Sequence, residues 1–205
     1  MLLYILIACA IAAIAVSHAR RPAAAPRDMQ EGGKAIIRAE LPKLIASDFG
    51  RTKRGKLLIA EVQSLLKDDR IVFSSALKGK RGLSWSEWWR PRIVYIKILR
   101  VNREKYLHQM PSQLIEVLFH EALHSIKGGF HATSIEEECD AFAAGLCAEA
   151  ASQGIEPPDI LRIDGKPVAE FVMASYSGAP RKPDYQPVGE SIEWLRKRTG
   201  LVEAK

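Results

Sequence analysis

The stretch FHEALHS at residues 119–125 places two histidines four positions apart, with a glutamate directly after the first. On an α-helix such positions share one face, with Cβ atoms about 6 Å apart, so His120 and His124 can both direct a ring nitrogen at one metal ion. Glu121 is rotated by about 100° from His120, which lets its carboxylate reach a water on the ion without becoming a ligand. The alternative is an ordinary amphipathic helix that carries two surface histidines.

The flanking residues predict where this helix begins and ends. Pro111 suits a first helical turn, because its missing N–H has no partner there, and Gly128 suits a C-terminal cap. Apolar residues recur at i, i+4, i+7 and i+11 on the other side of the helix: Ile115, Phe119, Ala122 and Ile126. We therefore expect one face to pack on a sheet and the other to carry the chemistry.

A zinc ion that keeps an open coordination position needs one more protein ligand. The acidic stretch SIEEECDAFAAG begins at Ser134 and opens a second predicted helix. We expect Glu136 to be the third ligand, with Glu137 as the alternative. Asp140 shares a face with Glu136 and is expected to accept a hydrogen bond from the far ring nitrogen of a ligand histidine. Capping explains part of the same pattern, because Ser134 and Glu137 have the spacing of a capping box.

A third histidine, His131, follows in the loop between the two helices. Six residues separate it from His124, one more than in the HExxHxxGxxH pattern, so we rank it below Glu136 as a ligand. A reaction that develops negative charge on an oxygen also needs a hydrogen-bond donor. His131, Tyr176 and Tyr185 are the candidates for that stabilising role.

HEALH followed by EEECDAFA resembles the zinc-binding signature of gluzincin-type metallopeptidases, of the small single-domain or membrane-associated kind. The resemblance implies one Zn²⁺ per chain, held by two histidines and by a glutamate on the next helix. It implies an α+β, zincin-like fold in which N-terminal helices are followed by a small twisted β-sheet, the HExxH helix and the glutamate helix. Residues 56–153 carry this order of elements.

The activity that the resemblance implies is hydrolysis of peptide bonds in a peptide or protein substrate. Glu121 would act as general base on a water activated by the zinc ion. The alternative is a membrane-tethered, non-catalytic metal-binding or regulatory module with a zincin-like fold. Glu121 favours the enzyme, because a helix that only binds metal has no need of it.

The remaining periodicities are consistent with this order. Helical apolar spacing predicts helices at 56–67 and 190–198. The same spacing occurs at 34–47, where Pro42 interrupts it. β-branched, partly alternating residues predict strands at 70–77 and 92–101.

The N-terminal residues form a separate unit. Leu2–Val16 has no charged side chain and is followed at once by arginines. We predict a hydrophobic anchor or signal segment at 1–19, a linker at 20–33 and the zincin-like domain at 34–205. The basic residues after the apolar run favour a single-pass membrane anchor with a cytoplasmic domain. The alternative is a protein secreted after cleavage near Ala19.

The composition sets broad limits. A chain of 205 residues accommodates one domain with a normal core. The net charge of +6 is spread along the chain, and no basic helix with interleaved aromatic residues is present, so no nucleic-acid partner is expected. Three cysteines give no disulfide framework, and the sequence carries no signal for an oligomeric state.

Overall fold

A computed structural model describes residues 22–77, 81–87, 90–100, 106–128 and 134–203. Within these residues the chain is α+β, with seven helices and a small mixed sheet. The coarse α+β prediction is therefore confirmed.

Three helices form the N-terminal part: α1 (Arg27–Ala46), α2 (Asp48–Arg51) and α3 (Lys53–Lys67). Ser47 and Thr52 cap α2 and α3, because each hydroxyl accepts a hydrogen bond from the backbone N–H three residues later, at 3.2 and 2.9 Å. The helix predicted at 56–67 is confirmed as α3.

The first helix corrects the predicted linker at 20–33, because α1 begins at Arg27 and continues through Pro42. The Gln30 side chain explains why this stretch is ordered. Its amide nitrogen donates to the Phe73 carbonyl at 2.7 Å, and its amide oxygen accepts from the Phe73 N–H at 2.8 Å. Gln30 thus takes the place of a neighbouring strand, and residues 27–33 belong to the folded domain.

The sheet contains β1 (Ile71–Ser74), β2 (Gly82–Glu87) and β3 (Arg90–Lys97), in the order β1-β3-β2. The central strand β3 runs parallel to β1 and antiparallel to β2. The strands predicted at 70–77 and 92–101 are confirmed as β1 and β3. We did not predict β2, whose sequence GLSWSE lacks a β-branched run. Gln30 covers the outer side of β1, and β2 forms the other edge of the sheet.

The two long helices are α4 (Pro111–Lys127) and α5 (Ile135–Ser152). Pro111 lies in the first turn of α4, and Gly128 ends the helix with a left-handed φ of 70°, as predicted. The Ser134 hydroxyl caps α5 by accepting a hydrogen bond from the Glu137 N–H at 3.1 Å. Both predicted ends of α4 and the predicted start of α5 are therefore confirmed.

The remaining elements are short. They are β4 (Leu99–Arg100) paired with β5 (Tyr106–Leu107), β6 (Arg162–Ile163) paired with β7 (Lys166–Pro167), α6 (Val168–Ser175) and α7 (Ile192–Thr199). The helix predicted at 190–198 is confirmed as α7.

Helix α5 lies between two apolar clusters. One cluster joins the sheet with α1, α3 and α4, and α5 contributes Ala141, Ala144 and Ala148 to it. The other joins α5 to α6 and α7, with Cys139, Ala143 and Cys147 on the α5 side. Because α5 is buried on both sides, its polar residues must find partners within the protein.

The contact between α4 and α5 depends on a residue without a side chain. A Cβ atom added at Gly145 would lie 2.5 Å from the backbone oxygen of Glu116. Only glycine therefore fits at the crossing point, and α4 and α5 approach closely enough for their side chains to share one site.

No helix in the described part of the chain is long and apolar enough to cross a bilayer. The predicted anchor or signal segment at 1–19 lies outside that part.

We expect Gly145→Ala to destabilise the protein by about 1–3 kcal/mol, the usual cost of overpacking. Alanine is favoured over glycine in a helix by about 1 kcal/mol, so any loss must come from the clash with α4. Urea unfolding measures the change. Gly178→Ala is the control, because a Cβ there has no atom within 4 Å. Equal stability of the two variants would refute the close approach.

Candidate metal centre

Three side chains from α4 and α5 converge on one point. The Nε2 atoms of His120 and His124 lie 3.3 Å apart. Glu138 faces both of them, with Oε2 at 3.7 Å from the Nε2 of His120 and Oε1 at 3.7 Å from the Nε2 of His124. These three residues are the group in the described part of the chain that could hold a metal ion.

The spacing of the donor atoms suits a small divalent cation. Two nitrogens bound at ~2.0–2.1 Å to one tetrahedral ion are ~3.3–3.4 Å apart, which matches the 3.3 Å between the two imidazoles. The carboxylate distances of 3.7 Å are slightly longer than this spacing, so a small inward movement of Glu138 would complete the set. His124 and Glu138 are only 6% and 4% exposed, which limits competition from water.

Glu137 orients one of the two imidazoles. Its Oε1 lies 2.8 Å from the Nδ1 of His124, so the Nδ1–H donates to the carboxylate and the Nε2 lone pair faces the other ligands. Burial by itself would raise the pKa of Glu137, but the hydrogen bond and the charges of His124 and Lys127 lower it. This ionised acceptor is the usual partner of a metal-binding histidine.

The carboxylates around His124 favour any cation at this position. Burial lowers the pKa of His124, yet the hydrogen bond to Glu137 and the charges of Glu121 and Glu138 outweigh burial and raise it. A proton and a metal ion compete for the same Nε2 lone pair, so metal affinity decreases as the pH falls.

His120 lies in a more apolar environment. Its ring packs edge-on against Phe142, with centroids 4.5 Å apart. Burial first, and then the charges of His124 and Arg81, lower the pKa of His120 well below its ordinary value. His120 is therefore neutral near pH 7 and has a lone pair available for a metal.

Glu121 is buried beside this group and beneath the edge strand. A Cβ atom added at Gly82 in β2 would lie 2.7 Å from the Oε1 of Glu121, so only glycine lets the strand cross here. The Arg92 guanidinium on β3 donates to the Ser84 hydroxyl at 3.2 Å and interacts with the charges of Glu137 and Glu121. Glu121 thus lies against β2, an edge strand of the sheet in the described part of the chain, and its charge acts on His124.

Tyr176 approaches from the segment after α6. Its hydroxyl lies close enough to Glu138 for the two side chains to interact. Burial, and then the charge of Glu138, raise the pKa of Tyr176. The phenol is therefore protonated near neutral pH and acts as a hydrogen-bond donor.

Glu136, the expected third ligand, is not part of the group. Its two carboxylate oxygens accept hydrogen bonds from the Arg181 Nε and the Lys182 backbone N–H, each at 2.6 Å. Residues two apart on a helix are rotated by about 200°, so Glu136 and Glu138 face opposite sides of α5. The structure thus brings Glu138, and not Glu136, close to the two histidines, while Glu137 contacts His124 from the other ring nitrogen.

Asp140 also has a different role from the one expected. Its oxygens accept hydrogen bonds from the Arg54 guanidinium at 2.6 Å, the Tyr185 hydroxyl at 2.9 Å and the Val188 N–H at 3.0 Å. Asp140 is fully buried and supports the fold. Glu137 makes the contact with a histidine that we expected of Asp140. Tyr185 is bound to Asp140 and not to the metal group, and His131 lies outside the described residues.

A signal for Glu138 was present in the sequence. Ala141 and Gly145 follow it at i+3 and i+7, the spacing of one helix face, and small residues on that face permit close packing against α4. Ala143 and Ala144 follow Glu136 at i+7 and i+8, so this spacing does not by itself separate Glu138 from Glu136.

No protein-family model, no curated protein and no solved structure matches this chain.

We expect Glu137→Ala to weaken zinc binding about 10–100-fold, because His124 loses the acceptor that fixes its orientation. Competition against a chromophoric chelator gives the dissociation constant. Glu170→Gln is the control, since Glu170 is exposed on α6 and pairs with Lys166 at 3.2 Å. Unchanged affinity in Glu137→Ala would contradict the assigned role.

Proposed function

We propose that the protein is a zinc-dependent peptidase with a zincin-like arrangement of its helices and sheet. The observation that carries the proposal is the convergence of His120, His124 and Glu138, with Glu121 buried next to them. Two imidazoles and one carboxylate form a catalytic zinc ligand set and leave a fourth position open. A bound zinc ion would supply Lewis acidity, activating a water and polarising the substrate carbonyl.

Proton transfer falls to Glu121. It follows the first ligand directly in sequence, and its carboxylate lies beside the metal group without belonging to it. In this proposal Glu121 accepts the proton of the attacking water and later delivers it to the leaving amine. A site that only binds metal has no need of a second buried carboxylate here.

Tyr176 is the donor best placed to stabilise the developing oxyanion. Among the candidates that lie in the described residues, Tyr185 is bound to Asp140, whereas the Tyr176 hydroxyl interacts with Glu138. A protonated phenol at this position can donate to a negatively charged oxygen formed next to Glu138.

The edge strand β2 offers a place for the substrate. The outer side of β1 is covered by Gln30, whereas β2 lies at the other edge and crosses over Glu121 at Gly82. An extended peptide paired with β2 would bring its backbone carbonyls next to Glu121 and the metal group.

We expect Glu121→Gln to lower peptidase activity by about 10²–10⁴-fold while zinc content stays at one per chain, because the variant loses the proton acceptor and keeps the ligands. Hydrolysis of a quenched fluorescent peptide library and elemental analysis measure the two quantities. Wild-type activity in Glu121→Gln would refute the mechanism. A wild-type protein that holds one zinc per chain and has no peptidase activity would favour the non-catalytic metal-binding module.

Removing a ligand gives a different result. We expect Glu138→Ala to lose zinc binding altogether and Glu136→Gln to keep one zinc per chain with a loss of affinity below about 10-fold, because the Glu138 carboxylate faces both Nε2 atoms and that of Glu136 does not. Co²⁺ substitution followed by absorption spectroscopy reports the loss of an oxygen ligand. A spectrum of Glu138→Ala identical to that of the wild type would exclude Glu138 from the coordination shell.

A further inference from the structure

We propose that Arg181 is a positioning residue for the metal centre, because its ion pair with Glu136 links docking of the α6–α7 connection, residues 176–191, to metal affinity. The inference rests on the metal binding in the proposed function, not on its peptidase activity.

The ion pair is well enclosed on the Glu136 side. The Glu136 side chain is 3% exposed, and its oxygens receive the Arg181 Nε and the Lys182 N–H at 2.6 Å each. Arg181 also donates to the Val202 carbonyl at 3.0 Å, so it joins α5 to the C-terminal residues. The hydrogen bonds and charge of Arg181 lower the pKa of Glu136 despite burial, which keeps this carboxylate ionised and paired.

Further contacts hold the same connection against the first turns of α5. The Ile135 N–H donates to the Pro180 carbonyl at 3.0 Å. The Tyr185 hydroxyl and the Val188 N–H donate to Asp140 at 2.9 and 3.0 Å. The connection therefore packs against α5 and also reaches the end of α4, where the Lys127 ammonium lies over the Tyr185 ring, 4.2 Å from its centroid.

The first residue of the connection reaches round to the metal group. Tyr176 interacts with Glu138, whereas Arg181 donates a hydrogen bond to Glu136. The connection thus contacts α5 on both sides of the turn that carries Glu137 and Glu138.

A helical turn transmits displacement between neighbouring residues, because its hydrogen-bonded backbone is stiff. Glu136, Glu137 and Glu138 are consecutive, so fixing the first fixes the orientation of the other two. Glu137 then keeps its 2.8 Å hydrogen bond to His124, and Glu138 stays within reach of both imidazoles. Docking of the connection thus orders two metal-centre residues before the ion binds, and pre-organisation of this kind raises affinity.

The coupling must act in both directions. If docking raises metal affinity by some factor, metal binding raises the docking equilibrium by the same factor. A structural anchor without coupling would alter stability and leave the dissociation constant of the metal unchanged.

Arg181→Met tests the coupling with zinc alone as the ligand, at a temperature at which circular dichroism shows every variant to be folded. We expect zinc affinity to fall about 10-fold, with partial recovery in Arg181→Lys, which keeps the charge. Glu136→Gln should also lower zinc affinity, by less than Arg181→Met does. The double variant should bind zinc as weakly as Arg181→Met, because both changes remove the same ion pair. Arg196→Met is the matched control, since Arg196 pairs with the exposed Glu203 at 2.8 Å.

Hydrogen exchange on the wild-type chain supplies a second measurement that needs no variant. We expect zinc to slow exchange of the Lys182 amide, which donates to Glu136, and to leave the β6–β7 hairpin unchanged. The coupling would be refuted if Arg181→Met bound zinc with the wild-type dissociation constant, or if zinc did not change the exchange rate of the Lys182 amide. Neither result would contradict the metal centre itself. A wild-type chain that binds no zinc would overturn both. Unfolding of Arg181→Met would leave the exchange measurement to decide.

Discussion

The close approach of α4 and α5 at Gly145 is the constraint on which the candidate site depends. The two histidines lie on one helix and the carboxylates on the other, so neither helix alone offers a complete ligand set. A side chain at residue 145 would meet the backbone of Glu116 and hold the helices apart. Because a carboxylate spans only a short distance from its helix, even a small separation would take Glu138 out of reach of the imidazoles.

The same packing explains why three consecutive glutamates have three roles. Each is rotated by about 100° from the one before, so Glu138 faces the imidazoles, Glu137 reaches the far nitrogen of His124, and Glu136 turns toward Arg181. Buried carboxylates are costly unless they are paired, and each of these three has a partner outside α5. The acidic start of α5 is thus an arrangement of separate interactions and not only a helix cap.

The C-terminal residues become part of the site through α5. Within residues 155–205, sequence reasoning assigned a candidate role only to Tyr176 and Tyr185, yet the α6–α7 connection also hydrogen-bonds Glu136 and Asp140. Asp140, which sequence reasoning placed next to a histidine, instead joins Arg54 to this connection at the centre of the protein. The second apolar cluster supports α5 through Cys139 and Ala143 and reaches His120 through Phe142.

The sequence by itself determined the local elements: the HExxH helix between Pro111 and Gly128, the start of α5 at its Ser134 cap, and the α+β class. These features depend on contacts within one turn or one helix, where spacing alone fixes the geometry. Only the tertiary structure decided that Glu138 and not Glu136 faces the histidines, because that choice depends on how α5 is rotated against α4. Helix rotation is set by packing between residues distant in sequence, and a motif of local spacing does not encode it.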